Sequence, residues 1–223
     1  MPSVTAYSGR NITFRSDRLV ALSGLAKRLS KSMGMKFVAG LWENTLAFDL
    51  LWKIEGHPPT TRPEEYVAPT WSWASTNGKV TTMLSKTTPA IRAGTNKDLD
   101  LQIHIEIEEA VVTVGGMSTS DPAALIDGGY ITLQGPIKQV SLHDYKFQTD
   151  FVLDKQATGY ICLLVYSDYD GKWGVHSWWA LLLRPAPDSP SDVYERCGVM
   201  QEDRKLRPWE TGNGWEKRRI TIV

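Results

Sequence analysis

Four histidines, His57, His104, His143 and His176, are the side chains best suited to acid–base chemistry near neutral pH. None has a second His or Cys at metal-ligand spacing, so no metal site is expected. His104 alternates with Gln102, Glu106 and Glu108, so imidazole and carboxylate would project from one face of a strand. Beside Glu106, His104 could serve as an acid or a base; the plainer alternative is a solvated polar face. His176 and Trp178 are also two residues apart and would share a face, with packing as the plainer alternative. The adjacent Trp178 and Trp179 must split across the strand, one ring to each side. Trp209 follows Pro208 and Trp215 follows Gly214, so both fall on a segment, Gln201 to Trp215, that reads as lid-like, with a disordered loop as the plainer alternative. The candidate catalytic residues are therefore His104 and His176. The candidate ligand-binding residues are Glu106, Trp178, Trp179, Trp209 and Trp215.

Most signatures of cofactor or nucleophile chemistry are missing. There is no Gly-x-Gly-x-x-Gly, Walker loop, His-Glu-x-x-His or Gly-x-Ser-x-Gly. No cofactor is expected. Lys plus Arg equals Asp plus Glu at 25 each, which gives no basic surface for nucleic acid or an anionic membrane. Cys162 and Cys197 form no C-x-x-C and read as small hydrophobes in apolar strands. With no leader visible and no apolar run of membrane length, the expectation is a soluble, cytosolic protein. The nine tryptophans require an aromatic-rich core, an aromatic-lined cavity, or both.

The elements that must position these residues read as helices followed by strands. Ser16 or Asp17 can cap a helix whose apolar positions Leu22, Leu25, Ala26, Leu29 and Met33 keep a 3.6-residue period up to Gly34. A second helix is expected over about Phe37 to Trp52, where Asp49 would need a buried partner such as Arg18 or Arg62. Three prolines break Gly56 to Pro63. Strands are then expected at Thr70–Ser75 and Lys79–Leu84 around Asn77-Gly78, at Leu99–Val114, and at Tyr130–Val140. Gly159–Tyr166 and Trp173–Leu183 should form a hairpin, and Val193–Gln201 and Arg218–Val223 should close the fold. This order predicts a single α+β domain over residues 1–223. Its helical part is 1–56 and its β-rich part 64–223, with the helices packed on a mainly antiparallel barrel or sandwich.

Several blocks, in order, resemble the region that follows the signature domain of fungal heterokaryon-incompatibility (HET) proteins. They are Tyr7-Ser8-Gly9-Arg10, Ser16-Asp17-Arg18-Leu19, Ala39-Gly40-Leu41-Trp42 and Asp49-Leu50-Leu51-Trp52. Arg62-Pro63, Tyr66, Pro69-Thr70-Trp71-Ser72-Trp73-Ala74-Ser75, Tyr194-Glu195-Arg196-Cys197-Gly198-Val199 and Ile220-Thr221-Ile222-Val223 follow. Only six residues precede Tyr7, so the resemblance implies a chain without the signature domain and without the cell-death signalling linked to it. Physically the blocks look structural, holding the helices onto the sheet.

Two functions from different classes fit. One is a small-molecule-binding β-rich protein acting as a cofactor-independent cyclase, of the pericyclase or Diels–Alderase kind, on an apolar fungal secondary metabolite. Such a reaction needs shape and a positioned hydrogen bond rather than a nucleophile or metal. The other is an interaction module derived from an incompatibility protein. A deep aromatic pocket favours the first, and a flat apolar patch the second.

Overall fold

The computed structural model describes residues 4–10, 12–59, 61–82, 101–170, 174–204 and 214–223. Four short helices come early: α1 (Val4–Ser8), α2 (Asp17–Val20), α3 (Ser23–Met33) and α4 (Leu46–Asp49). Interleaved with them are β1 (Phe37–Val38), β2 (Leu41–Trp42) and β3 (Lys53–Ile54), and then β4 (Val80–Thr81). The remaining strands are β5 (Gln102–Ile103), β6 (Glu106–Val114), β7 (Met117–Ser118), β8 (Gly128–Gln139) and β9 (Phe147–Thr149). β10 (Ile161–Asp170), β11 (Val175–Pro185), β12 (Val193–Arg204) and β13 (Glu216–Ile222) complete the chain. The fold is a β-rich α+β fold built on one large mixed sheet.

Nine strands form that sheet, in the order β5-β10-β11-β12-β13-β8-β6-β7 with β9 on β12. β8 also pairs with β10 through Ile161↔Gln139 and Leu163↔Ile137, so the pairings from β8 through β13, β12, β11 and β10 return on themselves. The β12–β13 contact is parallel; the others in the sheet are antiparallel. Alternation divides the side chains between two cores. Leu181 and Leu183 join a large core with Ile131, Leu133, Leu163, Ile220 and the tryptophans of the helical part. Trp178, Ala180 and Leu182 join a smaller core with Cys162, Cys197 and Met200. A bulge between Leu164 and Tyr166 puts Val165 and Tyr166 into the same large core.

Four expected elements differ. The first is the single helix expected from Ser16 or Asp17 to Met33, which is split into α2 and α3 at Ala21 and Leu22 and has no side-chain cap from Ser16. The helix over 37–52 is instead the β1–β2 hairpin, a 3-10 turn over Glu43–Thr45 and the single turn of α4. Ala39 and Gly40, at φ 44° and 92°, make the left-handed two-residue turn that a helix cannot contain. A Cβ on Gly40 would lie 2.6 Å from Trp73 Nε1. Residues 70–75 are not a strand, because Ser72 Oγ accepts from Ala74 N at 3.1 Å and starts a 3-10 turn over Trp73–Ser75. β4 therefore pairs with β3 across the chain rather than with 70–75 around Asn77-Gly78; positions 83 and 84 of that expected strand lie outside the described residues. The long strand expected from Leu99 is interrupted at His104–Ile105, where β5 leaves for β10 and β6 for β8. α3 ends at Gly34 as expected, but Leu25 of its apolar stripe is exposed.

Candidate functional site

Several stretches far apart in the sequence meet in space as a hydrogen-bonded joint. Arg18, buried, donates to Ser8 O at 3.0 Å and to Thr76 O, and lies 5.1 Å over the Trp73 ring. Ser72 Oγ donates to Ala39 O at 2.6 Å, Trp73 Nε1 to Gly40 O at 2.9 Å, and Trp52 Nε1 to Trp71 O at 2.9 Å. Arg196 is fully buried: it pairs with Asp150 at 2.5 Å, donates to Trp52 O and stacks over the Trp52 ring at 3.3 Å. Burial lowers Arg196 to about 10 and raises Asp150, in each case against the pull of the partner's charge. Among the described residues Asp49 has no arginine partner. Its Oδ2 accepts from Thr45 Oγ1 at 2.7 Å and Trp42 N at 3.1 Å, while Arg18 and Arg62 serve elsewhere.

One wall of a cleft hangs from this joint. Arg62 Nη2 donates to Arg196 O at 2.6 Å, and its guanidinium lies 5.1 Å over Phe151. Eight residues on, Thr70 N donates to Val223 O at 3.1 Å, and Thr70 Oγ1 accepts from Arg196 N at 3.0 Å. Pinned at both ends, segment 62–70 arches over the start of β8. Gly129 is required there: a Cβ would sit 2.8 Å from Pro69 and 2.7 Å from Val111 O. The cleft between arch and sheet has a volume of about 540 Å³. The arch contributes Glu64, Glu65, Tyr66 and Val67, and the sheet contributes Thr113, Tyr130 and Glu195. A smaller pocket of about 210 Å³ lies on the far side of Tyr66 and Val67, against Leu19, Ala124, Leu125 and Ile126.

The cleft carries charge of both signs, with Arg62 beside Glu64, Glu65 and Glu195. Arg184 takes Glu195 with two bonds of 2.9 and 2.7 Å. Neither Glu64 nor Glu65 forms an ion pair among the described residues. The ring of Tyr66 is half exposed. Burial around its hydroxyl, reinforced by the charge of Asp127, pushes Tyr66 up to about 12, so the hydroxyl stays a neutral donor at physiological pH.

The residues singled out from sequence chemistry lie elsewhere. His104 Nε2 is 2.7 Å from Ser167 Oγ, and Ser167 is the cross-strand partner of Trp178. His176 stacks on Tyr169 with centroids 4.4 Å apart and is two residues from Trp178 on β11. The register thus brings His104, Ser167, Tyr169, His176 and Trp178 to one face of the sheet. Glu106 lies on β6 opposite Gln134, beyond the break in the strand, and is exposed. Trp178 is 1% exposed and sits against Trp215 (5.8 Å) and Tyr145 (6.4 Å) in the smaller core. Trp179 is on the opposite face, packed on Tyr166 at 4.8 Å. Trp209 lies outside the described residues, as does most of the lid-like segment. None of those that are described lines the cleft beneath the 62–70 arch. Two sequence features could have found that cleft: Tyr66 beside Arg62-Pro63, and the Gly128-Gly129 pair at the start of β8.

Among the described residues no group of three His, Cys, Asp or Glu side chains is placed to hold a metal ion. Among them, too, no helix is long and apolar enough to cross a membrane. No family model, curated protein or solved structure matches the chain.

Proposed function

We propose that the chain is a small-molecule-binding protein whose ligand occupies the cleft under the 62–70 arch. The observation that carries this is the cleft itself: about 540 Å³, inside the 300–1,000 Å³ range of small-molecule sites, with apolar walls and a few convergent polar groups. The closed circuit of strands, read as a small barrel, supplies a rigid floor. Cofactor-independent cyclisation is the reaction such walls would accelerate. They hold the two ends of a flexible chain together, and the neutral Tyr66 hydroxyl hydrogen-bonds an atom on which negative charge grows. One positioned donor of this kind contributes about 2–4 kcal/mol. The HET-like blocks fit this reading as the joint that pins the arch.

Titration with the neutral apolar fluorophore N-phenyl-1-naphthylamine tests the location. One equivalent should bind, and Thr113→Trp, which fills the cleft from its sheet wall, should abolish binding without unfolding the protein. If Thr113→Trp binds normally while Trp179→Ala or His104→Ala does not, the ligand sits on the sheet instead.

A further inference from the structure

We propose that Asn77, which does not line the cleft, is a self-modification site: Gly78 N displaces its side-chain ammonia, and water then leaves an aspartate that pairs with Arg15. Asn77 is exposed between the 3-10 turn over Trp73–Ser75 and β4. Gly78 has no Cβ to hinder its amide nitrogen. That N–H lies in no strand ladder; its acceptor among the described residues is Thr76 Oγ1, at 3.3 Å. Packing holds the glycine in place, because a Cβ there would lie 2.6 Å from Ile54 Cδ1.

Two arginines surround the reacting atoms. Arg18 donates to Thr76 O and Gly78 O, the carbonyls on either side of Asn77, and so holds the turn. Arg15 Nη1 donates to Asn77 Oδ1. Attack of Gly78 N on Cγ makes that oxygen an oxyanion, which a donor already in place stabilises. The Gly78 proton passes to water, the Cγ–Nδ2 bond breaks, ammonia leaves, and a succinimide ring joins Cγ to Gly78 N. Arg15 on Oδ1 makes Cγ the more polarised of the two ring carbonyls, so water adds there. The Cγ–N bond breaks, its electron pair and a proton restore the Gly78 N–H, and the main chain is recovered unchanged. The sum is amide plus water to carboxylate plus ammonium. The product suits its surroundings better than the amide. Arg15 Nε and Nη2 are buried and meet no acceptor among the described residues; Glu65 acts on Arg15 by its charge but forms no ion pair with it there. The amide NH2 is a donor like them, whereas the oxygen that replaces it accepts.

Incubation of the full chain at mildly alkaline pH, followed by peptide mapping in a mass spectrometer, is the test. The other Asn-Gly of the sequence, Asn213-Gly214, is the internal reference. In urea both should lose ammonia at similar rates and give mainly isoaspartate, the product of unbiased ring opening. In the folded chain position 77 should give aspartate with little isoaspartate. The formal net charge is zero, so isoelectric focusing should show an acidic band growing with time. Arg15→Gln should slow the folded reaction at position 77 about 10-fold, as expected for loss of one charge-assisted hydrogen bond, and make isoaspartate the main product. Asn77→Asp should raise the urea midpoint, and the gain should vanish in the Arg15→Gln background. A folded chain that keeps the Asn77 amide while Asn213 is converted overturns the proposal. So does isoaspartate as the main folded product at position 77, or an Asn77→Asp variant no more stable than the native chain.

Discussion

Trp52, Trp71 and Trp73 are all fully buried, yet their indole N–H groups differ. Those of Trp52 and Trp73 each donate to a backbone carbonyl at 2.9 Å, whereas Trp71 Nε1 meets no acceptor among the described residues. Trp73→Phe leaves Gly40 O without its donor, and a buried polar group left unpaired costs about 1–3 kcal/mol. Trp71→Phe loses packing alone. Urea unfolding should therefore rank Trp73→Phe below Trp71→Phe by about 1 kcal/mol, with either Ala variant losing about 3–5 kcal/mol. Equal losses for the two Phe variants would show that the Trp73 bond contributes nothing. That Trp71 and Trp73 are structural was legible from residue type, although the strand invoked to align them does not exist. Trp178 was harder to place. Alternation shows that it opposes Trp179, but not which face is covered, because the cover comes from Tyr145 and Trp215 in segments with little regular structure of their own.

At the scale of elements, α4 is one turn long and depends on Asp49. Burial raises this carboxyl from 3.8 to about 6, and the bonds from Thr45 and Trp42 offset only part of that shift. The folded state therefore holds a proton that the unfolded chain releases. The resulting stabilisation is complete below about pH 4 and is lost as pH rises through about 6. It amounts to something on the order of 3 kcal/mol. Asp49→Asn keeps an acceptor for both donors and carries no charge. Its urea midpoint should decline less than that of the native chain between pH 4 and pH 7. Parallel pH profiles would mean that Asp49 does not titrate in this window. The helical reading of 37–52 failed at this scale because period alone cannot register that Ala39 and Gly40 turn left-handed. The late strands succeeded because their apolar runs are of strand length and buried on both faces, and the hairpin of β10 and β11 overlaps the expected one, with β10 running on through Asp170.

Across the whole molecule, Arg196 joins three distant stretches: Trp52 in the early part, Asp150 before β10, and Thr70 at the root of the arch. Removing one member of a buried pair strands the other charge, at about 3–5 kcal/mol, whereas an apolar pair of similar volume can be neutral. Arg196→Met and Asp150→Leu should each destabilise strongly, and the double variant less than the sum of the two. Additive losses in thermal unfolding would show the pair to be uncoupled. The Glu-Arg-Cys block was legible as a closing strand. Its charge partner was not, because Arg196 and Asp150 lie 46 residues apart and nothing periodic links them.

β13 is inserted between β12 and β8, with seven register pairs to β8 and a parallel start against β12. During synthesis, every other strand of the circuit leaves the ribosome first. Until Glu216–Ile222 emerges, β8 presents an unpaired edge over Ile131–Ile137, and the start of β12 lacks its partner, the kind of surface that recruits other chains. The nascent protein must therefore wait in an open, adhesive form, and its yield in a cell depends on how well that interval is chaperoned.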